Sequence, residues 1–225
     1  MASEELKSKA DMLFENGKKK YEEEKGEESL ELFNQALDAY RQNGDTDGEI
    51  AALGYIATIY RLINKFEKSI EAYKSLLKIF EKLHDVAAQG KVLNNMGLIS
   101  ARSGKYEDAL ESFHKALYLF TDIDKKLSVA DQLGNISSVY RDIKQYDNAL
   151  VICGDAMKVY KEINHKTGIG DQYSNIAYLY VMKGDLSTAL DFYKSAMSFY
   201  DEAGEEEKAS LTKKNIEKLE KNGVV

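Results

Sequence analysis

Apolar residues along the chain follow the i, i+3, i+4, i+7 spacing of amphipathic helices, and the spacing resets at short polar breaks. The whole pattern returns without a gap at one fixed period. Leu53, Leu93, Leu133 and Tyr173 fall in one column, and Ile56, Met96, Ile136 and Ile176 in the next. A small column follows (Ala57, Gly97, Ser137, Ala177), and then Tyr60, Ser100, Tyr140 and Tyr180. Later in each period Ser29, Ser69, Ala109, Ala149 and Ala189 align, followed by Phe33, Tyr73, Phe113, Cys153 and Tyr193. Ala36, Leu76, Ala116, Ala156 and Ala196 form a second, mostly small column; Tyr40, Phe80, Phe120, Tyr160 and Tyr200 close the period. Each period predicts two helices joined by a polar turn such as SGKYED or KGDLST, where Gly104 and Gly184 suit a left-handed residue just past a helix end. A second break, such as QNGDTD or INHKTG, separates the periods. Small columns let paired helix axes approach to about 8–10 Å. A lone hairpin cannot bury both apolar stripes, so neighbours must stack.

The stretch LNNMGLISARSGKYEDALESFHKAL resembles the tetratricopeptide repeat, matching at Leu93, Met96, Gly97, Tyr106, Ala109, Phe113 and Ala116 and missing the tyrosine at Ser100. The resemblance covers nearly the whole chain in five copies. The usual unit runs to about 34 residues and ends in a proline. The unit here is longer by more than a helical turn, and the chain has no proline. Such lengthened units resemble those of kinesin light chain, of Leu-Gly-Asn-repeat adaptors (compare Leu133-Gly134-Asn135) and of bacterial peptide-sensing regulators. The resemblance implies an all-α fold, a right-handed α-α superhelix of five helical hairpins plus a C-terminal capping helix. The repeats fall at about 5–44, 45–84, 85–124, 125–164 and 165–204, with the cap at 205–221 and a tail at 222–225, all in one domain. The first copy is the least regular: Tyr21 comes one residue late, and EEEKGEE departs from the other turns. The cap, EEEKASLTKKNIEKLEKNG, reads as charged on most faces.

Asn95, Asn135, Asn175 and Asn215 recur one period apart in successive first helices, with Tyr55 at the equivalent position of the second repeat. Asparagine is a mediocre helix former, because its amide competes for backbone hydrogen bonds. Each precedes a core residue, and one step turns about 100° around a helix, so the column borders the core face. In the family, first helices line the inner wall, and this column resembles the ligand-facing position. A carboxamide offers a donor and an acceptor, as an extended peptide requires. With first helices about 10 Å apart and an extended chain rising about 3.3 Å per residue, one amide per repeat would meet a peptide at every third residue. The candidate groove therefore comprises the four asparagines, Tyr55, Asn94, Lys91, Arg102, Arg61, Arg141 and Tyr178. The alternative is that the asparagines descend from one duplicated unit, or bond an adjacent helix and serve packing. Along the wall, Lys91, Arg102, Arg61 and Arg141 predict a positive centre suited to acidic ligand groups, and Asp131, Asp142 and Asp171 a negative stretch beyond it.

A net charge of −7 argues against a general nucleic-acid or anionic-membrane binder. No apolar run approaches the roughly 20 residues that span a bilayer. The N-terminal segment is too charged for a secretory signal, so the expected compartment is the cytoplasm. One cysteine forms no intramolecular disulfide, and Cys153, in an aromatic core column, reads as a buried small apolar residue. His84, His114 and His165 lie in different repeats without paired ligands, so neither metal nor cofactor is expected. The segment TGIGD lacks the third glycine and preceding strand of a phosphate-binding turn and reads as an inter-repeat bend. Asn135-Ile136-Ser137 is a chance sequon in mid-helix. The carboxylate-clamp pattern of chaperone-binding relatives is missing, apart from Lys91 with Asn95. No dyad or triad converges on one reacting atom. The expected function is a non-enzymatic adaptor that binds a partner's peptide segment in the concave groove. The alternatives are a self-associating scaffold, with the irregular first helix and the tail making end-to-end contacts, or a signalling-peptide sensor.

Overall fold

The computed structural model describes residues 2–221, so the 222–225 tail lies outside the described residues. Among the described residues the regular structure is eleven α-helices: α1 (Ala2–Glu22), α2 (Gly26–Asn43), α3 (Thr46–Leu62), α4 (Phe66–Lys82), α5 (Val86–Arg102), α6 (Tyr106–Asp122), α7 (Lys126–Asp142), α8 (Tyr146–Glu162), α9 (Lys166–Lys183), α10 (Leu186–Ala203) and α11 (Glu206–Lys221).

The breaks recur twice as often as the side-chain pattern. A left-handed residue stands at every half-period, at Glu24, Gly44, Asn64, His84, Gly104, Asp124, Lys144, Asn164, Gly184 and Gly204. After each, the next backbone N–H donates to the carbonyl five residues back, as from Asp45 to Tyr40 and from Lys105 to Ser100. This satisfies the carbonyls orphaned at a helix end. The EEEKGEE segment follows the same rule: Glu24 has φ 58° and the Lys25 N–H donates to the Lys20 carbonyl at 2.9 Å. The expected irregularity of this turn is confined to its side chains. The helices α3, α5, α9 and α10 start on side-chain caps: Asp45, Asp85 and Asp185 accept from the N–H three residues on, and His165 does so through Nδ1 at 2.9 Å.

The chain forms two compact units, Met1–Ala109 and Leu110–Val225, divided within α6. In the first, α1 to α5 pack each on the next. Its core joins Phe33, Tyr40, Leu53, Ile56, Ile59, Tyr73, Leu76 and Ile99, with Phe14, Tyr21 and Tyr55 against it. In the second, α7 to α11 pack each on the next. There Cys153, Ile176 and Leu179 form one cluster, and Leu190, Tyr193, Ile216 and Leu219 another. The small columns are fully enclosed: Ala57, Ala149, Ala156, Ala177, Ala189 and Ala196 have no exposed surface. They bring backbones close enough for buried hydroxyls to bridge helices. Ser29 donates to the Gly17 carbonyl at 2.9 Å and Ser69 to the Ala57 carbonyl at 2.7 Å. In the fourth repeat the serine has changed sides, and Ser137 donates to the Ala149 carbonyl at 3.0 Å.

Gly168 and Gly170 lie in the first turns of α9, not in a bend. A Cβ at Gly168 would come within 2.4 Å of the Tyr160 ring, and one at Gly170 within 2.8 Å of the Tyr200 ring. The glycines make room for tyrosines from α8 and α10; the chain turns earlier, at the left-handed Asn164.

Candidate functional site

Within the second unit, alternate helices α7, α9 and α11 enclose an open concavity of about 540 Å³. The repeat period brings Asn135, Asn175 and Asn215 to its wall, all three half-buried. They share it with Gly134, Ser138, Ser174 and Leu211. The α11 helix is thus more than a charged cap. It buries Ala209, Thr212, Ile216 and Leu219, and Lys208, Leu211, Thr212 and Asn215 complete the site.

Two carboxylates stand on the same wall, each held by a tyrosine from the second helix of its own hairpin. The Tyr160 hydroxyl donates to Asp131 and the Tyr200 hydroxyl to Asp171, both at 2.8 Å. Burial, reinforced by the adjacent carboxylate, pushes both phenols well above the usual tyrosine range. The two carboxylates differ in one respect. Lys208 donates to both oxygens of Asp171, at 2.7 and 2.9 Å, and lies 5.6 Å from the centre of the Tyr200 ring. The position equivalent to Lys208 beside Tyr160 is Gly168. The expected negative stretch is therefore largely tied up at Asp171 and Asp142, the latter paired with Arg141 at 2.9 Å.

The concavity has polar residues where the first unit has apolar ones. Ala52 and Val92 are buried in one column; its later members are Gln132, Gln172 and Thr212, equally buried. Gln172 and Thr212 line the site. Gln172 is 3% exposed, and its Oε1 lacks a hydrogen-bond partner.

The other predicted groove residues are distributed as follows. Asn95 and Asn94 are half-buried on α5, in the first unit. The Asn95 amide and the Thr58 hydroxyl approach the Tyr73 hydroxyl, whose pKa is raised by burial and drawn back by Arg61 and these neighbours. Tyr55 stacks on Phe33 with centroids 4.7 Å apart and meets Phe14 and Tyr21 edge-on, so its ring packs in the core of the first unit. Lys91 is exposed. Arg102 reaches Asn64 at 3.4 Å and lies over the Phe66 ring. In the second unit Arg141 lies 5.8 Å from the centre of the Tyr178 ring, which is 43% exposed, and borders a small cleft with Ser138 and Asn175. Sequence reasoning missed Gln172, Thr212, Tyr160, Tyr200 and Lys208 as site residues. For the first two a signal exists in the sequence, where polar residues break an apolar column at 132, 172 and 212.

Cys153 is fully buried, 2.9 Å from the Ser137 hydroxyl, and burial raises its thiol pKa. Among the described residues no three His, Cys, Asp or Glu side chains cluster to hold a metal, and no helix is long and apolar enough to cross a membrane.

The helical-hairpin geometry is shared with solved structures. RapI in its apo form is 16% identical with a TM-score of 0.80, covering 91% of this chain and 57% of that one. A Rap protein in complex with competence and sporulation factor is 16% identical with a TM-score of 0.58, covering 96% of this chain and 65% of that one. Nearly identical kinesin light chain TPR-like repeats from Podosopora anserina are 11% identical with a TM-score of 0.69, covering 88% of this chain and 97% of that one. The chain thus spans less than two thirds of the length of both Rap proteins. Among curated protein sequences none matches. The sequence profile of the tetratricopeptide repeat matches residues 13–82 and 89–162, more than half of the chain. With this match and the all-α solenoid fold, the chain belongs to the tetratricopeptide repeat family.

Proposed function

We propose that the chain is a non-enzymatic adaptor that holds an extended segment of a partner protein in the concavity of the second unit. One observation carries the reading: Asn135, Asn175 and Asn215, one from each of three alternate helices, line the same open concavity. Each amide pairs with a backbone N–H and C=O whatever the ligand's side chains, and stable helices fix the spacing. A Rap protein of similar fold bound to competence and sporulation factor supports a ligand-holding role. The residues at the site are amides, hydroxyls and partnered carboxylates, a set suited to recognition.

The test uses the full chain with a fluorescent pool of extended hexapeptides, read by anisotropy. The Asn135→Ala/Asn175→Ala double variant is expected to weaken binding at least about tenfold, from two lost bidentate contacts, with helicity unchanged. Light scattering is expected to show a monomer. Unchanged binding, or a stable dimer that binds no peptide, supports the self-associating scaffold instead.

A further inference from the structure

The two tyrosine-held carboxylates are the same device repeated in successive hairpins, and one of them contains its own ligand. At Asp171 the protein supplies a cation: the Lys208 ammonium bonds both carboxylate oxygens, with the Tyr200 hydroxyl on one of them. At Asp131 the Tyr160 hydroxyl is in place at 2.8 Å, while the residue in register with Lys208 is Gly168, which carries no side chain. Among the described residues lining the wall, Lys208 is the sole lysine or arginine, against Asp131 and Asp171. With Lys208 committed to Asp171, the wall retains one negative charge, at Asp131. The same wall holds a second polar feature. Gln172 lines the same concavity, 3% exposed, with an Oε1 that has no hydrogen-bond partner. A buried acceptor in that state is costly until it meets a donor.

We infer that Asp131 anchors a lysine or arginine side chain of the bound segment. The inference rests on the peptide-holding reading above and makes that peptide basic. Lys208 on Asp171 is the internal template for the contact. The asparagines remain indifferent to sequence, and Asp131 sets the register.

The probes are hexapeptide pools, acetylated and amidated, with one central position fixed as Lys, Arg, norleucine or Glu. Anisotropy with the full chain is expected to show the Lys and Arg pools binding about tenfold tighter than the Glu pool. Asp131→Asn keeps an acceptor for Tyr160 and is expected to abolish that discrimination while norleucine-pool binding holds. Lys208→Met, which frees Asp171, is expected to widen it. Equal binding of all four pools, or discrimination undiminished in Asp131→Asn, overturns the inference and leaves the adaptor reading intact. Failure of every pool to bind overturns both. A preference that follows a free N-terminal amine on peptides without Lys or Arg overturns the side-chain assignment.

Discussion

Lys144 stands in a left-handed conformation, φ 61°, that its Cβ disfavours by about 1–2 kcal/mol. Glycine fills the same place at Gly104 and Gly184, and those two positions are legible in the sequence because glycine is the one residue that announces this geometry. Asn64, His84, Asp124 and Asn164 belong to the types that enter it more readily, whereas Glu24 and Lys144 adopt it because the turn's hydrogen bonds require it, and nothing in those two side chains advertises that. Lys144→Gly is therefore expected to raise unfolding stability by about 1 kcal/mol, read as a higher urea midpoint with unchanged slope. His165 carries a related compromise, capping α9 through Nδ1 where Asp45, Asp85 and Asp185 cap with carboxylates. His165→Asp is expected to stabilise by up to about 1 kcal/mol, since aspartate is the stronger cap and favours the positive end of the helix dipole; thermal melts would detect it.

Helix positions and the enclosed alanine columns can be read directly, since a strict period fixes phase without knowledge of contacts. What period alone does not show is the purpose of departures from it. Gly168 reads as a bend, yet it sits inside α9 because the Tyr160 ring fills the space a Cβ would take. Gly168→Ala is expected to cost about 1–3 kcal/mol, and a Gly168→Ala/Tyr160→Leu double variant to recover part of it; measuring both separates overpacking from lost helix geometry. Likewise α11 reads as a solvated cap because its charges dominate its composition. Its apolar stripe packs on α10, and its polar residues reach the concavity. Asn135, Asn175 and Asn215 are visible beforehand because a repeated oddity stands out. Gln172 belongs to a polar break at 132, 172 and 212 that the sequence does display, whereas Lys208 departs from its column once, which periodicity treats as noise.

Across the molecule, polar chemistry is unevenly shared between two units built from one pattern. Tyrosine–carboxylate pairs stand at Tyr40–Asp11, Tyr160–Asp131 and Tyr200–Asp171, and between the first and the last two come Phe80 and Phe120, whose partner positions hold Ala51 and Lys91. Burial first, then the carboxylates, raises all three phenols above their ordinary value. The folded chain thus holds these protons more tightly than the unfolded one, so the contribution is complete below about pH 10 and declines as pH rises above it. Denaturation at about pH 8 and pH 11 is expected to show that loss, and Tyr40→Phe/Tyr160→Phe/Tyr200→Phe to flatten it. The evenly spaced left-handed breaks carry a consequence of their own. Because the side-chain pattern takes two of their intervals to return, the sequence is written in interchangeable cassettes. Gene duplication or deletion of one full cassette keeps every later side chain facing as before, whereas an edit of half that length keeps the turns but swaps wall residues for backing ones. The number of amides along the wall can therefore grow or shrink one cassette at a time, which, under the adaptor proposal, makes binding length a heritable dial.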